Sequence, residues 1–475
     1  MINEHQSSLK LGWLDVGAVL CALFSYSLLE TMIAPAMPLF QEVYGASEME
    51  LGLVMASLLL VGAVSMPLVG RLGDLYDKRL VLVVTLIITS IGIVIAACSR
   101  NIIELAIGQA LQGVAFGIMP VAVGLMNEGL DPRKAAIANG LIVGAAALST
   151  AMGLVISGPL IEFGGLQAIY WMPLALIVSS IAFFMMHKGV SIEIKNNLNS
   201  DNSSVDWGGS ISLAILLGLL LVGLGGAATK GWNSLGTVGP IITFFALLPV
   251  WIKYEQRVVS PILDTRLLTL PGVREMCLVV VSVGFGSAAT YSLLPMILNA
   301  NPATGIGFGA NTTSIGLHML PLGLAALVVG PLVDRFNRWW GERVVVTLGA
   351  LLTSLGAIMP AIFNSESWQL AFGAGILGAG AGITLTAAIN TVVRSVPANR
   401  AASTFAALML LRTFGAMLGT QLCMTVLSTG IRSVSIENSS AKFTDAFLLA
   451  AAGCLLALIA ATRYPKSLPT STAQL

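Results

Sequence analysis

Read as apolar and polar positions, the chain alternates long apolar runs with short polar connections from one end to the other. Each run is about 20 residues long, enough for a helix to cross a hydrocarbon core of roughly 30 Å. Lipid offers no partners to free backbone amides, so runs of this length satisfy them internally as α-helices. The pattern predicts fourteen spans: 14–38, 50–70, 80–98, 102–126, 136–160, 168–187, 208–228, 238–252, 276–299, 312–333, 344–363, 368–392, 401–428 and 444–463. The longest polar segment, VSIEIKNNLNSDNSSVDW from Val190 to Trp207, is rich in Asn and Ser, has little to bury and reads as a linker. The opening MINEHQSSLKLGW lacks a basic n-region and a small-residue cleavage site, so the first run is expected to be a retained span.

A short repeat organises these spans. GRLGDLYDKR begins at Gly70 between spans 2 and 3, and GPLVDRFNR begins at Gly330 between spans 10 and 11, with Gly70/Gly330, Leu72/Leu332 and Asp74/Asp334 in register. Spans 1–6 and 9–14 then form equivalent six-helix halves. The expected layout is an N-terminal half over 1–189, a cytoplasmic linker over 190–207, an inserted helix pair with its connecting loop over 208–275, and a C-terminal half over 276–475. This is the arrangement of a two-half secondary transporter, and the fold class is an all-α polytopic membrane protein.

Composition narrows the function. Only 10% of residues are charged, against roughly a quarter in soluble domains, so a lipid bilayer is the expected surroundings and no nucleic-acid partner is expected. Most Lys and Arg fall in the connections on one side of the spans, while Arg100, Lys230, Arg432 and Lys442 fall on the other. By the positive-inside rule both termini are expected in the cytoplasm. The five cysteines sit in apolar runs without CxxC spacing, and the three histidines are far apart in sequence, so neither a disulfide framework nor a metal site is expected. HExxH, GxSxG and GxxxxGK[ST] are all absent. The chain is therefore not expected to be an enzyme or to carry a cofactor, and an ion gradient has to drive any uphill transport.

The candidate chemistry lies in ionisable groups inside spans. Glu30 sits within SYSLLETMIAPAMPLF, about 14 residues and so roughly 21 Å beyond Val16 on a helical rise of 1.5 Å. An acid at that depth is costly in lipid and faces the bundle interior or a wet cavity. There a proton and a cationic substrate can compete for one carboxylate, each favouring a different orientation of the halves. The plainer alternative is a protonated Glu that ties helices together. Arg412 lies roughly 18 Å into span 13; it stays charged and has to pair with carbonyls, a carboxylate or an anionic group. Glu30 is one candidate partner, and helix locking is the alternative. Arg71, Asp74, Lys78, Arg79, Asp334 and Arg335, at cytoplasmic span ends, are expected to form ion pairs that close that side in one conformation, although charge asymmetry alone accounts for the cations. Gln109 and Gln112 share a helix face. With Tyr26, Met32, Tyr291 and Asn390 they are candidate lining of an apolar substrate cavity, against the alternative of ordinary helix packing. Small-xxx-small patterns such as Gly140xxxGly144 and Gly415xxxGly419 point to close helix approach.

Several motifs together resemble one family. Gly70, Leu72, Asp74, Lys78 and Arg79 follow the pattern GxLaDrxGrk, with Asp77 at its second glycine and Leu75 at its arginine. Arg412-Thr413-Phe414-Gly415 followed by Gly419 resembles RxxGxxxG, and the stretch from Glu30-Thr31 to Ala36-Met37-Pro38 resembles D-T-x-x-x-x-A-x-P with Glu for Asp. Asp206-Trp207-Gly208, Gly231-Trp232 and the run from Glu255 through Pro261 to Arg266 look like the landmarks of an inserted pair. Over nearly its whole length the chain resembles the major facilitator superfamily, and within it the fourteen-span drug:proton antiporter branch. That resemblance implies efflux of lipophilic, often cationic, small molecules in exchange for protons, by a monomer in a prokaryotic plasma (inner) membrane. Two motifs depart from the branch: RxLQG reads Gln109-Ala110-Leu111-Gln112-Gly113, and Gly164-Gly165 are displaced from the GPxxGG ending. The missing arginine encourages a rival reading, a facilitator or importer of a specific metabolite. A membrane receptor or scaffold fits the repeated gating acids less well.

Overall fold

The structure is a computed structural model describing residues 11–46, 48–186, 206–231, 233–258, 261, 263, 266–300, 302, 307–396, 400–431 and 436–465. Most of the Asn-rich linker, Trp232 and both chain ends lie outside these. Among the described residues, fourteen helices are long and apolar enough to cross a membrane. They are α1 (Trp13–Tyr44), α2 (Glu48–Leu75), α3 (Lys78–Ala97), α4 (Ile102–Gly129), α5 (Pro132–Gly164), α6 (Ala168–Met186), α7 (Trp207–Lys230), α8 (Leu235–Glu255), α9 (Val273–Asn299), α10 (Thr313–Trp340), α11 (Glu342–Ile362), α12 (Ser367–Ser395), α13 (Ala401–Ile431) and α14 (Ile436–Thr462). Among the described residues there is no strand.

The helix starts carry the capping chemistry their sequences offer. Asp77 accepts from the backbone N–H groups of Arg79 and Leu80 at the start of α3, Asn101 caps α4 through Glu104, and Asp206 caps α7 through Gly209. Pro132 occupies the first turn of α5, where its missing N–H costs nothing. Helices overrun the apolar runs at their ends. Arg71 and Asp74 therefore lie on the last turns of α2, and Asp334 and Arg335 lie on the end of α10, rather than in loops. A 3₁₀ turn at Val114–Gly117 interrupts α4, and another at Gly330–Leu332 interrupts α10.

Packing repeats across the chain. In one half α1 packs on α5 and α6, α2 on α4, and α3 on α4 and α6; in the other α9 packs on α13 and α14, α10 on α12, and α11 on α12 and α14. The two sets meet along α2–α13 and α5–α10. The α5–α10 seam runs antiparallel through glycines. A Cβ at Gly140 would collide with the Gly330–Pro331 backbone, one at Gly144 with the Leu327 backbone, one at Gly323 with the Leu148 backbone, and one at Gly316 with Val155. Only hydrogen at these positions lets the two backbones approach. The α7–α8 pair lies over the other seam: Leu213, Leu216, Leu217, Leu220, Phe244 and Trp251 pack with Ala63 of α2 and Ala407, Leu410 and Phe414 of α13.

Candidate functional site

Glu30 lies on α1 one turn after Tyr26, so the two side chains share a face. The Tyr26 hydroxyl and the Arg412 guanidinium of α13 both act on the Glu30 carboxyl, and Glu30 in turn acts on the hydroxyl of Tyr291 on α9. All four residues are surrounded by protein yet keep part of their surface open, the condition of side chains that line an internal space. Their elements are held closely. Gly415 and Gly419 press α13 onto the backbone of α9 at Val281 and Phe285, and Gly284 of α9 gives way to the Arg412 carbonyl. The glycines after Arg412 thus set the depth at which its side chain enters the bundle. On the other side Phe116, within the 3₁₀ turn of α4, meets the Tyr26 ring edge-on with centroids 4.9 Å apart. The Tyr291 hydroxyl oxygen is buried without a hydrogen-bond partner.

This arrangement has a specific electrical property. A carboxylate from one half and a guanidinium from the other act on each other through space, so the two charges together are neutral. A proton on Glu30 would leave a net positive charge at Arg412.

A second polar cluster occupies the Arg- and Lys-rich side. Asp74, on α2, accepts hydrogen bonds from the backbone N–H groups of Ala402 (3.2 Å) and Ser403 (2.9 Å), the first turn of α13. A carboxylate there complements the positive end of the helix dipole. Lys78 lies 3.9 Å from Asp74 and 2.7 Å from Glu128, and Arg79 lies 3.3 Å from Asp15. Lys78 and Arg79 are buried. Arg71 lies on the same turns of α2, next to Gly70, whose neighbours are Ala402 and Ala406. The repeat copy behaves differently: Asp334 faces Arg338 at 3.5 Å and Arg394 at 3.6 Å, both within its own half, while Arg335 lies over the ring of Trp339 at 4.4 Å. Asp74 therefore reaches across to the opposite half, and Asp334 does not.

The other candidates are placed elsewhere. Gln109 is buried and its Nε2 donates to the Tyr170 hydroxyl of α6 at 3.1 Å, while Gln112 Nε2 donates to the Gly92 carbonyl of α3 at 3.3 Å. Their shared face meets α3 and α6, because one turn of helix spacing groups them but does not choose the neighbour. Met32 is fully buried in the apolar core rather than on an open wall. Asn390 is buried on α12 with its Nδ2 unpartnered. Asp15, Glu128 and Arg394 are functional-site neighbours that the sequence motifs do not point to. Asp15 pairs with Arg79, Glu128 with Lys78 and Arg394 with Asp334. The available signal was the depth of Asp15 at the start of an apolar run, at the same end of the spans as the cation pair Lys78-Arg79.

Comparison with known proteins accounts for this architecture. The family model described as Major Facilitator Superfamily matches residues 19–201 and 276–474, leaving the stretch that holds α7 and α8 unmatched. An MFS-type transporter of Mycobacterium tuberculosis is 25% identical over 369 residues, covering 75% of this chain and 51% of that protein, so the chain spans about half the length of that relative. The multidrug resistance protein Stp of the same organism is 23% identical over 419 residues, covering 87% of this chain and 75% of that protein. The crystal structure of the human organic anion transporter MFSD10 superposes with a TM-score of 0.65 at 15% identity, covering 93% of this chain and 98% of that one, a likeness of fold. With a family model spanning both halves and a repeat visible in sequence and packing alike, the chain belongs to the major facilitator superfamily.

Proposed function

We propose that this protein is a secondary transporter that exports lipophilic or cationic small molecules in exchange for protons. Two six-helix halves, 1–189 and 276–475, would alternate about the inserted pair within 208–275, in a prokaryotic plasma (inner) membrane with both termini cytoplasmic, as a monomer. The observation that carries the reading is the Glu30–Arg412 pair, an ionisable couple enclosed between helices of opposite halves. With Glu30 charged, Arg412 lies within reach of its field. A cationic substrate entering beside Glu30 competes with Arg412 and with the proton for the same carboxylate, and each occupant favours a different arrangement of α1 against α13. The Tyr26 hydroxyl stands beside Glu30, the buried Tyr291 hydroxyl lies within reach of its charge, and Asp74 on the end of α13 supports closure of the Arg- and Lys-rich side.

The test is uptake of a lipophilic dye cation by liposomes holding the purified protein under an imposed pH gradient, with Glu30→Gln beside the wild type. Gradient-driven uptake in the wild type alone, with exchange retained by the variant, is the expected result. Equal uptake by both would place coupling elsewhere. A second reading, facilitated passage of a specific metabolite without protons, rests on Gln109, which stands where the branch has an arginine and is occupied with Tyr170. Dye uptake absent from both proteins would favour it.

A further inference from the structure

The end of α10 that leads into α11 carries an aromatic and basic cluster for which the gate has no use. Trp339 and Trp340 are 59% and 52% exposed. The Phe336 ring stacks on Trp340 with centroids 5.3 Å apart, and the Arg335 guanidinium carbon stands 4.4 Å over the Trp339 ring. Arg338 is exposed and shares Asp334 with Arg394, which also pairs with Glu342. Asp334 therefore faces two guanidiniums at once, and Arg335, on the same turn, meets a ring and, among the described residues, no acid. Positive charge is left over at the surface.

The repeat shows that this is a departure. In the other half the positions in register with Arg338 and Trp339 are Lys78 and Arg79. Both are buried, and both are committed to acids of their own half, Asp74, Glu128 and Asp15. In α10 the helix continues through these positions to Trp340 and turns them outward. Exposed indoles at the end of a membrane span lie at headgroup depth, where one edge is apolar and the other wet. A planar guanidinium there matches the oxygens of a phosphate through paired hydrogen bonds.

We propose that this end of α10 binds the headgroup of an anionic phospholipid, with Arg335 and Arg338 holding the phosphate and Trp339 and Trp340 covering the glycerol and upper acyl chains. The occupant is a lipid and not a free phosphate, because the two indoles extend the charged patch onto the membrane-facing end of the span. A bound phosphate competes with Asp334 for Arg338, so lipid composition alters the tie between α10 and α12.

The test uses the full-length protein in phosphatidylcholine nanodiscs containing an equal minor fraction of phosphatidylglycerol or phosphatidylcholine, each brominated high on its acyl chains. Bromine quenches nearby tryptophan, and the share belonging to Trp339 and Trp340 is the difference from the W339F/W340F variant. The brominated anionic lipid is expected to quench that share preferentially, by about fivefold in local enrichment for each guanidinium. The preference is expected to fall in R335Q/R338Q, whose melting curve reports its fold. If that variant does not fold, salt decides in the wild type: a preference that fades with rising ionic strength supports the site, and one indifferent to salt overturns it. Equal quenching by the two lipids, a preference that survives R335Q/R338Q, or its loss to added inorganic phosphate at fixed ionic strength would each overturn the assignment.

Discussion

Glu30 and Arg412 come from different halves, and each acts on the charge of the other. Arg412→Ala removes the cation whose field reaches an enclosed carboxylate, and a loss of about 1–2 kcal/mol is expected, the scale of two charges beyond direct contact at an effective dielectric of about 20. The double variant Glu30→Gln/Arg412→Gln, which removes both charges, is expected to recover much of that loss in a thermal melt. Tyr291 gives the opposite outcome. Its hydroxyl has no partner in the structure, so Tyr291→Phe is expected to leave the melting temperature level or slightly raised while changing the apparent affinity for a transported dye. Glu30 and Arg412 were visible in the sequence because a charge inside an apolar run demands an explanation. The destination of Gln109 was not: helical spacing says which residues share a face, and only the packing of α4 against α3 and α6 says what that face meets. The same holds for Asp15 and Arg79, which are distant in sequence and 3.3 Å apart in the fold.

Helices were legible from length and hydropathy, and their pairing was not. Gly140xxxGly144 marks α5 as a helix meant for close approach, yet nothing in that pattern names α10 as its partner. The seam makes a sharp prediction. At Gly144 and Gly323 an added methyl group meets backbone of the opposite helix, which no rotamer change can relieve. Gly144→Ala and Gly323→Ala are expected to lower stability by about 1–3 kcal/mol each in a detergent melt. Gly239, on α8, has nothing within 4 Å of a built Cβ, and Gly239→Ala is expected to be neutral or to stabilise by up to about 1 kcal/mol through helix propensity. A fall of the same size at Gly239 would show that the seam has no special demand. The 3₁₀ turn of α4 was equally invisible, since Val114-Ala115-Phe116-Gly117 reads as continuous apolar helix, although it is what carries Phe116 to Tyr26.

Across the whole molecule, the repeated motif foretold two equivalent halves, and the packing of α1–α6 is repeated by α9–α14. What the repeat concealed is its divergence. Asp74 holds the first turn of α13 from the other half, whereas Asp334 serves its own. Asp74→Asn keeps the shape and removes the charge, so closure of that side is expected to weaken by about 1 kcal/mol, the scale of a charge at a helix terminus. Spin labels at Arg133 and Val344, one on each half, would report it as a gain in the longer-distance population. An unchanged distribution would mean that the remaining ion pairs hold closure alone.

The glycine seam also bears on inheritance. Because α5 and α10 meet through hydrogen atoms at Gly140, Gly144, Gly316, Gly323 and Gly330, missense changes in those codons are expected to weaken the protein through the helix contact itself. Alleles gathered by lost activity would then trace two stripes facing each other, and a map drawn from them alone would outline a contact between helices while missing the binding space.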